Sequence, residues 1–466
     1  MFDTPLEQHL GHATRAYTPT YRGYSSFLGY YDAMTENYWA HTHATGKGAP
    51  GGCDGSGLGK LWPAMSNTSG HSLGHSLDNG TYESTLFGDH AVGLIESHAS
   101  RAAIRGLSPD AMPPLFIYLA FHNEHDPHQA PKAAVEDEAT AGRVKSDTYK
   151  VTVAQIATMD FQVGRVMDAY NRTGMLPRLL VSFTSDNGGP LDHANNWPRR
   201  GGKHGFYEGG VRTEAFVWAG RATGLMPESI RGSTYKGLMH IADWRATLTV
   251  GVVGLDPIVL DDGGAFANES MNHWPAVMGG GTVAAPRTEL LHSVHSPTWY
   301  PGNCSIHSWR GRNCPAVITS GDLKYMIGYV GDPRRINIDD EVISGPPLPF
   351  GRSGGKCGID GGASEGTRCD APGKHGGPKP KPDDPGGCLH GCLFNVTDDA
   401  GESRNLIHDS AYAGDMARMV ERLKEAGEVA PPWFQAPEVA HLSHSALGSA
   451  LCDAAHRAGS VQPTDF

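Results

Sequence analysis

A strand–helix–strand pattern between residues 114 and 184 constrains the fold of this chain more than any other feature. Residues 114–121 form a short apolar run, which is typical of a buried strand. In residues 149–170 the apolar positions recur at spacings of three and four, which predicts an amphipathic helix. Residues 178–184 predict a second buried strand. Because strands joined through a helix lie parallel in one sheet, the pattern predicts an α/β fold with a mostly parallel central sheet flanked by helices.

The chain changes in character near residue 285, which predicts two domains. Residues 1–285 form the predicted large α/β domain, with a further strand at 214–219 and a helix at 240–250. Residues 286–466 form a predicted small α+β domain with an antiparallel sheet, interrupted by a Gly/Pro-rich loop at 344–387. Its predicted elements are strands at 290–295, 315–320, 323–330 and 388–396 and a helix at 411–426.

Composition and charge exclude some classes of protein and favour others. A formal net charge of -12 argues against a general nucleic-acid binder, and the lack of any 18-residue apolar stretch predicts no membrane span. Eight cysteines and six Asn-x-Ser/Thr sequons favour an oxidising, secretory compartment, although the first residues show no signal peptide. The sequons, which predict a glycoprotein, are at Asn67, Asn79, Asn171, Asn268, Asn303 and Asn395. We therefore expect that a front segment is missing from this chain.

Polar segments follow both strands of the central pattern. Three histidines, including His125, lie in residues 122–131, and Ser-Asp-Asn-Gly-Gly occupies residues 185–189. Asp and Asn oxygens suit Ca²⁺ or Mg²⁺, although Asp-Asn-Gly-Gly alone is also typical of a turn. Residues 195–212 add arginines, a lysine and a histidine between glycines, which suit an anion or form a basic surface loop. Together the three segments predict a site for an anion and a metal ion.

These segments resemble the sulfatases, most closely the subfamily of arylsulfatase B (N-acetylgalactosamine-4-sulfatase) and arylsulfatases I and J. The resemblance is carried by Phe-Thr-Ser-Asp-Asn-Gly-Gly at 183–189, Asn-Asn-Trp-Pro at 195–198, Glu-Gly-Gly-Val-Arg at 208–212 and His-Ile-Ala-Asp-Trp at 240–244. It implies an alkaline-phosphatase-like large domain and a sulfuric ester hydrolase that acts on sulfated carbohydrate or aryl sulfate. It also implies a lysosomal or extracellular location.

The resemblance implies a role for five residues. Asp186 and Asn187 match two ligands of the family's single Ca²⁺ ion. His125 matches the histidine that contacts sulfate and assists the leaving group, and Lys203 matches the lysine that neutralises sulfate charge. His9 matches a histidine that helps the nucleophile to expel sulfate.

The chain departs from the family pattern at the nucleophile. No Cys-x-Pro-x-Arg motif, from which the family makes its formylglycine, occurs in the sequence, and nothing before His9 supplies the first pair of metal aspartates. Asp261 and Asp262 match a non-catalytic segment and are interpreted as structural. The Ca²⁺ site is therefore expected to be incomplete, and the chain is expected to be a truncated or inactive sulfatase.

Two alternatives stay open at this point. The first is a non-catalytic sulfatase paralogue that binds sulfated glycan or a protein partner. The second is a phosphate-ester hydrolase of the same superfamily, against which the segments at 195–198 and 208–212 argue. The eight cysteines allow 105 pairings, and the spacing selects none of them.

Overall fold

The protein is described from a computed structural model. The structure describes residues 18–30, 38–39, 42–44, 61–63, 65–69, 80–108, 111–125, 128–140, 147–191, 193–256, 270–294, 315–328, 330–333, 335–336, 342–344, 357–359, 366–369, 388 and 390–429. His9, Asp261, Asp262 and most of the predicted loop at 344–387 lie outside these residues.

The strands and helices of the described residues are given in chain order. The strands are β1 (Ser26–Tyr30), β2 (Thr42–Ala44), β3 (Leu61–Pro63), β4 (Met65–Ser69), β5 (Gln129–Pro131), β6 (Leu180–Thr184), β7 (Ala215–Ala219), β8 (Glu289–Val294), β9 (Ala316–Ser320), β10 (Leu323–Ile327), β11 (Arg335–Ile336), β12 (Val342–Ser344), β13 (Cys357–Ile359), β14 (Gly366–Cys369) and β15 (Cys392–Asn395). The α-helices are α1 (Glu83–Ile104), α2 (Lys132–Thr140), α3 (Asp147–Arg172), α4 (Glu208–Val211), α5 (Asp243–Ala246), α6 (Trp274–Met278) and α7 (Ala413–Val429).

The chain divides into two compact units. The first unit comprises the described residues up to Thr173 together with β13 and β14, and the second comprises those from Gly174 to β12 and from Cys388 to Val429. The predicted domain boundary near residue 285 stays a prediction. No helix within the described ranges is long and apolar enough to cross a membrane.

The first unit is built on helices. The predicted helix at 149–170 is confirmed as α3, which packs against α1, α2 and β5. Ala130 of β5 and Val151 and Ala154 of α3 form a small fully buried cluster. Residues 114–121, predicted as a strand, are not assigned to one: their side chains alternate in exposure, but no ladder hydrogen bonds pair them with another described residue. Phe116 and Tyr118 are accordingly 70% and 74% exposed.

The second unit contains an antiparallel sheet with the order β15-β10-β9-β8, which confirms the antiparallel sheet predicted for the C-terminal region. Gly321 and Asp322 form the two-residue turn between β9 and β10, and Gly321 has the left-handed backbone (φ 56°) that such a turn requires. Alternating side chains pack on opposite faces. Tyr325 and Leu393 pack with Leu423 of α7 on one face.

The other face of this sheet packs toward α4. Met326 and Phe394 lie here in a buried cluster with Tyr207, which immediately precedes α4. Cys388 and Cys392, which belong to this cluster, are joined by a disulfide. The antiparallel sheet therefore supports the segment that leads into α4.

The strands predicted at 178–184 and 214–219 are confirmed as β6 and β7, and they pair antiparallel with Phe183 stacked on Phe216. Each ladder between described residues is antiparallel. Among the described residues the predicted parallel pair is not seen, because β6 hydrogen-bonds to β7 and residues 114–121 pair with none of the described strands. The mostly parallel central sheet stays a prediction.

A buried carboxylate anchors the helix predicted at 240–250, which is observed as α5 followed by a π-helical turn, Thr247–Val252. The side chain of Asp243 is fully buried, and its oxygens accept backbone N–H bonds from His240 (2.7 Å) and Met271 (2.9 Å). The guanidinium of Arg287 donates to both oxygens, and His273 Nε2 lies 3.1 Å away. Burial alone would raise the pKa of Asp243, but these donors outweigh it and hold the pKa well below its usual range.

Candidate functional site

The predicted metal ligands lie in the loop that follows β6. Ser185 N–H still bonds to the carbonyl of Glu214, and the chain then turns away from β7 at Asp186. One Asp186 carboxylate oxygen accepts the N–H of Asn187 at 2.8 Å, and the Asn187 amide donates to the carbonyl of Gly188 at 3.1 Å. Asp186 is exposed, so its carboxylate can reach a ligand from solvent.

The oxygen ligands of this loop are of the type that Ca²⁺ binds, but they are too few to complete its coordination. A carboxylate and an amide oxygen are the hard ligands that Ca²⁺ prefers, but the ion takes 6–8 oxygens. Within the described ranges, no group of three or more His, Cys, Asp or Glu side chains is arranged to hold a metal ion. Asp186 and Asn187 therefore supply part of a ligand set.

Glycines bring three distant parts of the sequence into direct backbone contact around this loop. Gly188 N–H donates to the carbonyl of Gly210 at 3.0 Å, and a Cβ at Gly188 would overlap the carbonyl oxygen of Gly209. A Cβ at Gly202 would overlap the carbonyl oxygen of Gly189, and one at Gly209 would overlap that of Gly201. Glycine is needed in these three segments, 188–189, 201–202 and 209–210, because backbone packs on backbone with no room for a side chain.

Asn196 clamps this packing. Its side-chain oxygen accepts the N–H of Gly189 at 2.9 Å, while its amide donates to the carbonyls of Gly189 (2.8 Å) and Gly201 (3.1 Å). One side chain thus satisfies both backbone groups of Gly189 and ties that residue to the segment that leads to Lys203. The sequence motif Asn-Asn-Trp-Pro contains this residue, but the motif alone assigns it no separate role.

Replacing Asn196 with alanine should lower the free energy of unfolding by about 1–3 kcal/mol, because partly buried backbone groups lose their partners. Urea-induced unfolding measures the loss. Asn272→Ala is the matched control, since its side-chain oxygen accepts a hydrogen bond from Trp274 N–H alone (2.9 Å), and it should cost about 1 kcal/mol or less. Equal losses in the two variants would contradict the clamp.

Lys203 is placed beside the predicted metal ligands. Its N–H donates to the carbonyl of Gly189 at 3.1 Å, two residues from Asn187. Its side chain is half-buried, and no ion pair or hydrogen bond of its Nζ is found with another described residue. The structure thus brings Asp186, Asn187 and Lys203 together in one packed set of loops, and it leaves the lysine charge available for an anion.

The arginines of the same segment hold structure. Arg199 donates to Glu214 at 2.7 Å and to the carbonyl of Arg212 at 3.2 Å. Arg200 is buried over the ring of Tyr207 and donates to the carbonyls of Pro333 (2.6 Å) and Glu402 (2.8 Å). Arg199 and Arg200 are therefore engaged by partners within the protein, and Lys203 differs in this respect.

A buried ionic network lies beneath α4. Lys324 is fully buried, and its Nζ lies 2.8 Å from Glu208 Oε1 and 3.2 Å from Glu402 Oε1. The other Glu402 oxygen accepts the backbone N–H of Glu208 at 2.6 Å. None of these three residues was predicted as a functional residue from the sequence. The signal was a lysine inside the apolar strand Leu323-Lys324-Tyr325-Met326-Ile327, whose charge needed a buried partner.

The pKa values of the two carboxyl groups in this network are shifted in opposite directions. Burial opposes ionisation of Glu208, but Lys324 and Arg212 outweigh it and lower its pKa. Glu402 is buried more completely and faces the charge of Glu208, so its pKa is raised to about 7 in spite of Lys324. Nearby His292 has its pKa lowered to about 3 by burial and by Lys324.

His125 belongs to the first unit. Its N–H donates to the carbonyl of His122 at 2.9 Å, and the hydroxyl of buried Tyr38 donates toward the carbonyls of His122 (3.1 Å) and His125 (2.9 Å). The rings of His122 and His125 stack with centroids 5.4 Å apart, and Glu83 lies 3.5 Å from His122 Nδ1. The turn that carries His125 is thus fixed by buried partners. The other predicted catalytic histidine, His9, lies outside the described residues.

Comparison with known proteins identifies the family of these motifs. The sulfatase family model matches residues 7–249, which is more than half of the 466-residue chain. Mouse (Mus musculus) arylsulfatase J is 27% identical over 61% of this chain and 41% of its own length. Human (Homo sapiens) arylsulfatase H is 34% identical over 44% of this chain and 33% of its own length. The chain thus spans less than half of the length of these curated relatives.

A solved structure supports the fold. The crystal structure titled Ps i-CgsB in complex with k-i-k-neocarrahexaose superposes with a TM-score of 0.54 and 18% identity, covering 91% of this chain and 69% of that one. The family match includes the Asp186–Gly189 loop, the asparagine clamp and Lys203. On these grounds, the chain is a member of the sulfatase family.

Proposed function

We propose that this chain forms the sulfate-recognising part of a sulfuric ester hydrolase that acts on sulfated carbohydrate or aryl sulfate. The observation that carries the proposal is the hydrogen bond from the Lys203 N–H to the carbonyl of Gly189, which joins the Lys203 segment to the loop of Asp186 and Asn187. A lysine and two oxygen ligands next to each other suit a sulfate group held by an ammonium and a divalent cation. The neocarrahexaose named with the structural relative supports a carbohydrate substrate.

Each residue has a role in this proposal. Asp186 and Asn187 would hold one Ca²⁺ ion, which supplies positive charge at a sulfate oxygen when bound. Lys203 would neutralise a second sulfate oxygen. His125 would donate a proton to the leaving oxygen from a turn already fixed by Tyr38. His9 would assist the departure of sulfate from the nucleophile, as the resemblance implies.

We propose further that the 466 residues do not turn over sulfate esters by themselves, because the sequence contains no Cys-x-Pro-x-Arg motif. Loss of a nucleophile removes most of the rate enhancement of an enzyme that works through a covalent intermediate. The second candidate function is a non-catalytic paralogue that binds sulfated glycan or a protein partner. This candidate is favoured by the same absence of a Cys-x-Pro-x-Arg motif. It predicts that the chain binds sulfate without a nucleophile.

Location and architecture complete the proposal. The six sequons and eight cysteines support a glycoprotein of the secretory pathway, lysosomal or extracellular. The structural relative supports an alkaline-phosphatase-like arrangement, to which we assign a mostly parallel central sheet with residues 1–285 as the catalytic domain and 286–466 as the C-terminal one.

Binding and turnover of the purified chain test this proposal together. A sulfated oligosaccharide should bind more tightly than its desulfated form in calorimetry, and Ca²⁺ should strengthen binding. Lys203→Ala should weaken binding about tenfold, since one charge-assisted contact is lost, whereas exposed Lys236→Ala should have no effect. Equal affinity for the desulfated sugar would contradict sulfate recognition.

Nitrophenyl sulfate measures turnover in the same preparation. No hydrolysis is expected from these 466 residues. Hydrolysis that Lys203→Ala abolishes would show that the chain carries a working nucleophile, and faster hydrolysis of nitrophenyl phosphate would favour a phosphate-ester hydrolase. Sulfate binding that Ca²⁺ does not affect would favour the non-catalytic paralogue.

A further inference from the structure

The first backbone N–H of α4 is held by a carboxylate from a remote part of the chain. Glu402 Oε2 accepts the N–H of Glu208 at 2.6 Å, and its other oxygen lies 3.2 Å from Lys324 Nζ. Glu402 is fully buried and adopts a left-handed backbone (φ 47°), which points to a site where surrounding contacts fix the residue in place. The carboxyl group of Glu402 is thus part of the support of α4.

The Asp186–Gly189 loop packs directly against α4, so contacts that hold α4 in place also hold this loop. Gly209 and Gly210 follow Glu208 directly, and their carbonyls lie against Gly188, which donates its N–H to Gly210. This contact is backbone against backbone, so no flexible side chain can absorb a displacement of α4. A shift at Glu208 therefore reaches Gly188, the neighbour of Asn187.

Ionisation of Glu402 places a second carboxylate beside the buried ammonium of Lys324. Two carboxylates, Glu208 and Glu402, then share the single buried ammonium of Lys324. Among the described residues, three other charged or titratable groups face them. Arg212 lies 3.6 Å from Glu208 on the exposed side, Arg200 bonds to the backbone carbonyl of Glu402 and not to its carboxylate, and His292 is the third. Because the pKa of His292 is lowered to about 3, this ring adds no compensating charge at neutral pH.

We propose that Glu402 is a proton-sensitive positioning residue, which acts through the first turn of α4 on the placement of the Asp186–Gly189 loop. The closed packing holds the proton on Glu402, and loss of that proton weakens the packing. The consequence for metal and sulfate rests on the proposed function, whereas the coupling between Glu402 and the loop does not.

The sign of the effect follows from linkage. The pKa of Glu402 is raised from 4.5 to about 7 in the folded protein, so the stability that its proton contributes is fully present below pH 4.5 and is lost as the pH rises through about 7. If local opening exposes Glu402, the protection of the Gly188 N–H should fall by roughly tenfold per pH unit between about pH 5 and 7 and then level off.

Hydrogen exchange of the metal-free protein tests this coupling without any need for activity. Peptides that cover residues 186–212 are followed from pH 5 to 8, after correction for the intrinsic exchange rate. The wild-type protein should lose protection as described, and Glu402→Gln, which cannot ionise, should change by less than about threefold. Exposed Glu425→Gln on α7 is the matched control and should behave as the wild type.

Two results would overturn the proposal: protection in the wild type that is constant across this range, or the same loss in Glu402→Gln. If Glu402→Gln does not fold, carbon-13 labelled glutamate in the wild-type protein provides the measurement. A carboxyl carbon that titrates near pH 7 together with the Gly188 amide would support the coupling, and the absence of any carboxyl titration between pH 6 and 8 would refute it. Failure of sulfate binding would leave each of these readouts intact.

Discussion

The Gly188→Ala variant is expected to lose about 3 kcal/mol or more of its free energy of unfolding, together with any binding of sulfate. The added Cβ would overlap the carbonyl oxygen of Gly209, which is backbone and cannot rotate away. Overpacking of a tight interior usually costs about 1–3 kcal/mol, and a clash with backbone belongs at or above the top of that range. Thermal unfolding and urea titration measure the stability, and calorimetry with a sulfated oligosaccharide measures the binding.

Gly164→Ala provides the control for this variant. Gly164 lies inside α3, and a Cβ there meets nothing within 4 Å. Alanine is favoured over glycine in a helix by about 1 kcal/mol, so this variant should be as stable as the wild type or more stable. A stable Gly188→Ala protein with unchanged sulfate affinity would show that the three glycine segments have room to move apart.

The Asp243→Asn variant is expected to lose about 3–5 kcal/mol at pH 7, because it removes the charged member of a buried ion pair with Arg287. The donors from Arg287, His273 and two backbone N–H groups hold the pKa of Asp243 below its usual value of 3.8. The stability from this lowered pKa is present above about pH 4 and is lost as the pH falls. The difference between the wild type and the variant should therefore narrow from pH 7 to pH 3.

Urea-induced unfolding at several pH values checks this prediction. Asp415→Asn is the control, since Asp415 pairs with Arg418 on the exposed surface of α7, and such pairs contribute about 0–1 kcal/mol. A pH-independent difference between Asp243→Asn and the wild type would show that the Asp243 charge is not what stabilises the fold.

Local hydrophobic patterns predicted most helices and strands of the second unit and the helix α3, because the spacing of apolar residues depends on which face of a segment is buried. The apolar spacing at 149–170 predicted α3 to within two residues at each end, and the strands predicted at 315–320 and 323–330 are observed as β9 and β10. The pairing of strands was harder to predict. The run at 114–121 has the composition of a buried strand, but a ladder needs a partner from elsewhere in the chain, and composition does not name one.

In the candidate site, too, local motifs could be predicted from the sequence and long-range contacts could not. The motif around Asp186 and the lysine at 203 were singled out from the sequence, and the structure joins their segments through the Lys203 N–H bond to Gly189, while the roles of these residues stay a prediction. Glu402 was not predicted, because its partners Glu208 and Lys324 lie far from it in the sequence and no local pattern joins them. Resemblance to a family points to candidate catalytic and ligand residues more readily than to the residues that position them.

The hydrogen bonds of Arg200 and Glu402 join residues that lie far apart in the sequence, which affects the order in which this protein folds. Arg200 donates to a carbonyl 202 residues later in the chain, and Glu208 N–H bonds to a side chain 194 residues later. Contacts of such separation form late, because the closure of a long loop is costly before other contacts reward it. On the ribosome, the Asp186–Gly189 loop would leave the exit tunnel long before its support is made. We therefore expect the site to become ordered only after synthesis has passed residue 402, in the last stage of folding.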